Sequence, residues 1–297
     1  MSDSKIDIER LKQWVGKETV IHDDLSPFKA VALHAALNVD KEKIEIPKSG
    51  TDLPLPWHWM YFVDTPAGAQ TGSDGHPKTG DFLPPVPLPR RMWAAGKLKF
   101  HMSFKLGQAA QKTSKIADVS LKKGSTGPLV FVTLEHIYSQ NGKVCIEEEQ
   151  NLVYREMPDG PSPMPPGKVP EKVADWSDSI LPDPVLLFRF SALTYNGHRI
   201  HYDRSYAIDE EFYPGLVVHG PLQAVLLCNS LVNHTTTSCI EEFKFRAMRP
   251  LFDSRPLEVC GTVGDGEINL WTQGDEGFVG MSAQVTVRKE EFSSDDV

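Results

Sequence analysis

The 297-residue chain is long enough for two ordinary domains or one large one, and its 40% hydrophobic content fits a soluble globular protein. Its 31 basic and 40 acidic residues leave a net charge of −9, which argues against non-specific nucleic-acid binding without forbidding a local basic patch for a phosphate-bearing ligand. No apolar run approaches membrane-spanning length, and Cys145, Cys228, Cys239 and Cys260 are widely spaced with no C-x-x-C pair, which speaks against a disulfide framework or a zinc site and for a reducing compartment.

The amino terminus is acidic, lacks an apolar signal region and is unlike an Arg-rich transit peptide, so a cytoplasmic protein is expected. Ile6, Ile8, Leu11, Trp14 and Val15 share a helical face. Asp24 or Ser26 can cap a second helix through Phe28, Val31, Leu33 and Ala36, small and apolar enough to be buried. A strand is expected over Trp57–Phe62. From Asp64 to about Arg91 the chain is rich in Gly and Pro, and the stretch Gly80–Gly96 mixes aliphatic and aromatic residues with the prolines. A loop of that length is functional or disordered, and its apolar residues argue for ordering against something. Arg90 and Arg91 are either a solvated pair or an anchor for a substrate carboxylate or a CoA phosphate.

From Lys97 to Arg155 the pattern is β, with Asn141-Gly142 a strong hairpin signal between Leu129–Tyr138 and Lys143–Tyr154. A proline-rich linker follows, and the reading divides the chain into residues 1–156, a linker 157–180 and a second unit 181–297. In the second unit a strand over Leu186–Ala192 leads into a polar loop. An almost wholly apolar helix, and therefore an interior one, runs from about Pro221 to Val232. Strands are then expected over Cys239–Arg249, Leu257–Val263, Ile268–Thr272 and Phe278–Arg288, each alternating with period two; the last residues from Glu290 should fray. One long helix and an antiparallel sheet make an α+β layout.

The chemistry gathers between Arg189 and Leu227. Asn196 and His201 lie five positions apart at the end of an apolar segment, and Gly220-Pro221 open the buried helix. Proline suits a first helical position, and the unpaired amides there carry partial positive charge that would stabilise an oxyanion. Histidine titrates near neutrality and suits proton transfer; an Asn amide can orient water but cannot carry its proton. Asn196 can equally close an Asx-turn. His219, Tyr195 and Arg199 can be packing or salt-bridged residues, and Asp203 either orients His201 or lies at the surface. No dinucleotide fingerprint, P-loop, nucleophile elbow or H-E-x-x-H is present, so no redox cofactor or catalytic metal is expected.

These residues resemble the hydratase-2 motif of the MaoC-like and R-specific enoyl-CoA hydratases. There an acid, Asn-Pro, an aliphatic residue and His are followed by a Val/Ala-His-Gly-x-Leu stretch. Ile200-His201 and Val218-His219-Gly220-Pro221-Leu222 match, while Asn196 stands where the acid is usual and His198-Arg199 replaces Asn-Pro. That variant looks like the FAS1-like dehydratase branch of type-2 hydroxyacyl-thioester dehydratases, mesaconyl-C4-CoA hydratases and itaconyl-CoA hydratases. The resemblance implies a double hotdog, two antiparallel sheets each wrapped on a helix and paired side by side, with the site in the C-terminal half and acyl-pocket walls from the N-terminal half. It implies a cofactor-free enoyl-CoA hydratase acting on a short branched or dicarboxylic acyl-CoA. His201 would be acid/base, Asn196 would orient water, and the Gly220 N–H would polarise the thioester. Arg90, Arg91, His219 and Tyr195 would form the substrate wall. The alternatives are a 3-hydroxyacyl-thioester dehydratase of fatty-acid synthesis and a non-catalytic acyl-CoA binder. Neither a nucleic acid nor a membrane is an expected partner, and a homo-oligomer is left open.

Overall fold

A computed structural model describes residues 6–39, 42, 44–124, 127–235, 240–264 and 267–288. Ten strands form a continuous sheet in the order β1-β3-β4-β5-β2-β7-β10-β9-β8-β6. The N-terminal strands are β1 (Glu18–Asp23), β2 (Arg90–Phe100), β3 (Ala110–Gly124), β4 (Gly127–Gln140) and β5 (Lys143–Arg155). The C-terminal strands are β6 (Trp176–Ile180), β7 (Ile240–Ala247), β8 (Leu257–Gly264), β9 (Glu267–Gly274) and β10 (Val279–Val287). The second five repeat the spatial order of the first in mirror sequence, so β2 meets β7 at the centre. Their antiparallel register pairs Ala95 with Arg246 and Lys99 with Glu242. Four helices accompany the sheet: α1 (Ile8–Lys12), α2 (Pro27–Ala36), α3 (Pro184–Thr194) and α4 (Gly220–His234). This is the double hotdog.

Periodicity explains most of it. Met281, Ala283, Val285 and Val287 of β10 are buried while Gln284 and Thr286 are exposed, as expected for a sheet with one covered face. Asn141 and Gly142 both take positive φ, 52° and 73°, the backbone that a tight hairpin between right-twisted strands demands. From Leu222 to Leu231 every residue of α4 is buried. Its apolar surface joins Trp57, Leu98, Phe190, Phe243 and Met281 in one core that crosses from one half to the other. The Trp57 indole N–H donates to the Asn229 side chain at 3.2 Å, a further tie between the halves. A second core in the N-terminal half takes Val86 and Leu88 from the proline-rich stretch against Ile116, Val130 and Leu152.

Three expected elements differ. Residues 186–192, read as a strand, are helical: Asp183 caps α3 by accepting from the Leu186 N–H at 2.7 Å, Pro184 occupies the first turn, and Tyr195 ends the helix at φ 52°. A short, mostly apolar run reads alike as strand or buried helix, and the Asp-Pro start signal decides it. The segment read as a strand over Trp57–Phe62 forms none: a 3₁₀ turn, Trp57–Met60, is followed by a bend. The stretch Gly80–Gly96 becomes β2 from Arg90 onward. Two strands gave no readable pattern. β1 alternates only between exposed and half-buried positions, and β6, five residues within the expected linker, pairs with β8 through Trp176–Ile180. Cys145, Cys228 and Cys260 are buried free thiols; Cys239 and the carboxy-terminal tail lie outside the described residues. No helix among the described residues is long and apolar enough to cross a membrane.

Candidate active site

The loop after α3 is tied down locally. The Asn196 side-chain oxygen accepts from the His198 N–H at 3.0 Å, an Asx-turn, and its own N–H caps α3 through Ser191 O at 2.8 Å. A 3₁₀ turn, Arg199–His201, then brings His201 beneath the start of α4. His201 Nδ1 lies 2.7 Å from the Val217 carbonyl. A carbonyl can only accept, so Nδ1 carries the hydrogen and Nε2 keeps its lone pair. The His219 ring stacks on that of His201 with centroids 3.7 Å apart, and its Nε2 meets the Ser191 hydroxyl at 2.8 Å.

Asn196, His198, His201 and Gly220 line one cavity of about 910 Å³ at the start of α4. Its other wall comes from the N-terminal half: Trp59, Arg91 and Trp93, then Lys112, Ser114, His136, Glu148 and Gln150 farther along. Arg91 lies in the cavity beside Tyr154. Tyr195 lines it with most of its side chain exposed. Two expected wall residues lie behind the surface instead. Arg90 is buried, its Nε 2.7 Å from Glu211 Oε2 and its guanidinium over the Tyr213 ring. His219 backs His201 from the protein side. Asp203 does not orient His201: it accepts a two-nitrogen fork from Arg199, at 2.7 and 3.0 Å.

One part of the site was not anticipated. The segment between Asp64 and Arg90 folds across the halves and docks its tip, residues 73–76, on the loop carrying Asn196. The Arg199 N–H donates to the Asp74 carbonyl at 2.9 Å, and the Arg199 guanidinium to the Ser73 carbonyl at 3.0 Å. Gly75 and Gly197 meet backbone to backbone: a Cβ on Gly75 would stand 1.8 Å from Gly197 O, and one on Gly197 would stand 2.6 Å from Gly75 O. Asp74 accepts from both the backbone and the ring Nδ1 of His76, at 3.0 and 2.9 Å. The His76 ring is 4.0 Å from that of His198, which is 5.5 Å from that of His201. A lone histidine in a Gly/Pro stretch has no spacing that announces it; only the length of the segment hinted at a role.

The electrostatics favour the neutral form at His201, His219, His76 and His136. Burial holds His201 well below its ordinary pKa, with His219 and His198 adding to the effect and the Val217 carbonyl opposing it. Burial likewise brings His219 to about 3. It brings His76 to about 3, helped by Arg91 and opposed by Asp74, and His136 to about 4, helped by Lys112. Burial would raise the Asp74 carboxyl, but bonding to His76 outweighs it and leaves it at about 2. Each of these folded-state imidazole values lies below the unfolded one, so the unfolded chain takes up protons first as pH falls. The stability they contribute is whole above about pH 6.5 and drains away below it, by at most about 1.4 kcal/mol per pH unit for each ring. Urea unfolding should therefore show a clearly lower midpoint at pH 5 than at pH 7.5; equal midpoints would contradict the buried, neutral histidines.

Chemically, the arrangement offers a neutral imidazole lone pair, a side-chain amide and the Gly220 end of a helix facing one cavity. A sequence model of the family "Hydroxyacyl-thioester dehydratase type 2" matches residues 56–253. The chain is 45% identical over 278 residues to the mesaconyl-C(4)-CoA hydratase of Chloroflexus aurantiacus, covering 92% of this chain and 96% of that one. A MaoC-like dehydratase from Phytophthora capsici superposes with a TM-score of 0.66 at 11% identity, covering 96% of this chain and 98% of that one. The Mycobacterium tuberculosis protein Rv0216, described as a double hotdog, superposes with a TM-score of 0.54 at 11% identity, over 91% of this chain and 95% of that one.

Proposed function

The chain belongs to the family of type-2 hydroxyacyl-thioester dehydratases, and we propose that within it the protein adds water to the conjugated double bond of a short branched or dicarboxylic enoyl-CoA of the mesaconyl or itaconyl kind. It is a hydro-lyase, an acyl-CoA hydratase. The observation that carries the proposal is the sharing of one cavity by His201, Asn196 and Gly220 at the start of α4. In the proposed reaction His201 Nε2 takes a proton from water as its oxygen bonds to Cβ. The π electrons move toward the thioester oxygen, where the Gly220 N–H at the helix start meets the developing charge. His201 then returns the proton to Cα. The Asn196 oxygen holds the Asx-turn, and its Nδ2 can donate to the water. Residues 1–156 and 181–297 would divide the work, the second unit holding the reacting groups and the first the acyl wall. The cytoplasmic setting belongs to the same proposal.

Arg91 would hold the free carboxylate of the substrate. It lies in the cavity with no carboxylate paired to it among the described residues, whereas Arg90 is committed to Glu211. A long apolar acyl chain, as in fatty-acid synthesis, fits less well: it would lie against the hydrogen-bonded Ser114, His136 and Gln150 and against Lys112, whose ammonium would lose water. The test is loss of the ultraviolet absorbance of the conjugated thioester with mesaconyl-, itaconyl- and crotonyl-CoA. Dicarboxylic substrates should turn over with the higher kcat/KM. Arg91→Met should raise KM for them about 10-fold or more, the worth of a charged hydrogen bond, and leave crotonyl-CoA nearly unaffected. Equal effects on both substrates would remove Arg91 from carboxylate recognition; binding of all three without turnover would favour a non-catalytic acyl-CoA binder.

A further inference from the structure

Water poised for attack needs more than one base. It can donate two hydrogen bonds, and the geometry of its lone pair is fixed only when both hydrogens have acceptors. His201 Nε2 supplies one. In the motif this chain resembles, the acid would supply the other, but Asn196 stands in its place. The Asn196 oxygen already accepts from the His198 N–H at 3.0 Å, so one of its two lone pairs is committed to the turn. The C-terminal half therefore offers the water one imidazole and, in place of a carboxylate, a neutral amide oxygen half committed to a turn.

The docked tip of the 64–89 segment carries an imidazole of the right kind into the same cavity. His76 lies in the wall with Asn196, His198 and His201, two ring contacts away from His201. Its Nδ1 is 2.9 Å from Asp74 Oδ2. A carboxylate only accepts, so Nδ1 bears the hydrogen and Nε2 presents a lone pair, as in His201. The placement is constructed. Asp74 also caps the His76 N–H, Arg199 holds Ser73 and Asp74 by their carbonyls, and two glycines allow the backbones to touch.

Resting on the hydratase reading above, we propose that His76 Nε2 is the second acceptor for the attacking water, a catalytic residue supplied by the N-terminal half, with Asp74 as the residue that positions it. The water then donates one hydrogen to His201 and one to His76 and accepts from Asn196. Only the hydrogen on His201 is transferred, so the atoms balance as in the reaction already described.

The experiment compares wild type, His76→Gln, Asp74→Asn and the double variant His76→Gln/Asn196→Asp in the enoyl-CoA assay. Wild-type turnover tests the hydratase reading by itself; the variants test the role of His76. His76→Gln should lower kcat about 100-fold, the lower range for a proton-handling group, with KM within about threefold. Asp74→Asn, which keeps the ring but loosens its tautomer, should fall between. Restoring an acid at position 196 should return at least about tenfold of the activity lost by His76→Gln, a rescue that a purely structural histidine would not show. The proposal fails if His76→Gln keeps kcat within twofold, if its defect is confined to KM, or if the double variant is no better than His76→Gln. It fails also if chelator abolishes wild-type activity and zinc restores it, since Asp74, His76 and His198 place possible ligand atoms within 4.8 Å of one another and would then be holding an ion. If His76→Gln does not fold, the Asp74→Asn variant decides: wild-type kcat there refutes the positioning role.

Discussion

His201→Ala should reduce hydration about 10³- to 10⁴-fold, the upper range for loss of a general acid–base group, with little change in KM. The ring is the group that both takes and returns a proton in the proposed cycle, so no other side chain in the cavity substitutes for it directly. Its tautomer is set by the Val217 carbonyl at 2.7 Å, and burial keeps it neutral through the physiological range. The rate should therefore stay flat as pH drops through 6.5, where an ordinary imidazole would become protonated and idle. His201→Gln keeps much of the volume against His219 and is the cleaner variant for separating chemistry from packing. Stopped-time absorbance assays, with binding of a saturated acyl-CoA as control, make the measurement. Turnover of His201→Ala within about tenfold of wild type would remove the residue from the mechanism.

Gly75→Ala should also be harmful to activity, by roughly 100-fold, while leaving most of the fold standing. Position 75 has φ +90°, a conformation that costs an L side chain about 1–3 kcal/mol. The new methyl would also meet Gly197 O at 1.8 Å, backbone against backbone, with no flexible side-chain end to yield. Either the tip of the 64–89 segment lifts off or the Asn196 loop moves. Both displace the reacting groups, and a shift of about 1 Å is enough for roughly a 100-fold loss. The main core does not include this contact, so the thermal midpoint should fall by only a few degrees. Limited proteolysis should cut the variant within residues 64–89 faster than the wild type. Unchanged kcat/KM in Gly75→Ala would show that the docking is dispensable.

Much of this was legible in the residues. The C-terminal half declares itself through alternation in β7 to β10 and through an interior helix that opens on Gly-Pro, and the loop bearing Asn196 and His201 carries a recognisable spacing. What stayed hidden has a common physical cause. β1 and β6 are edge strands with little burial, so no period marks them. The segment 186–192 is short and apolar except at Arg189 and Ser191, so period alone cannot choose between helix and strand. Arg90 and Arg91 are adjacent and alike in sequence, but successive residues of a strand point to opposite faces. Pairing across β2 and β5 sets Arg91 against Tyr154 beside the cavity, while Arg90 turns toward Glu211. The Asp74–His76 pair depends on a contact between residues about 120 positions apart, which no local pattern encodes.

The seam between β2 and β7 has a consequence for traffic. Five consecutive residue pairs, Ala95–Lys99 against Arg246–Glu242, stitch the halves together, and Lys97 adds an ion pair to Glu242 at 2.9 Å. Clamshell opening would have to unzip that ladder in the middle of a sheet. The strap of residues 64–89 meets the Asn196 loop through the Arg199 bonds to Ser73 and Asp74, and loops docked in this way are the elements whose motion commonly accompanies product release in enzymes.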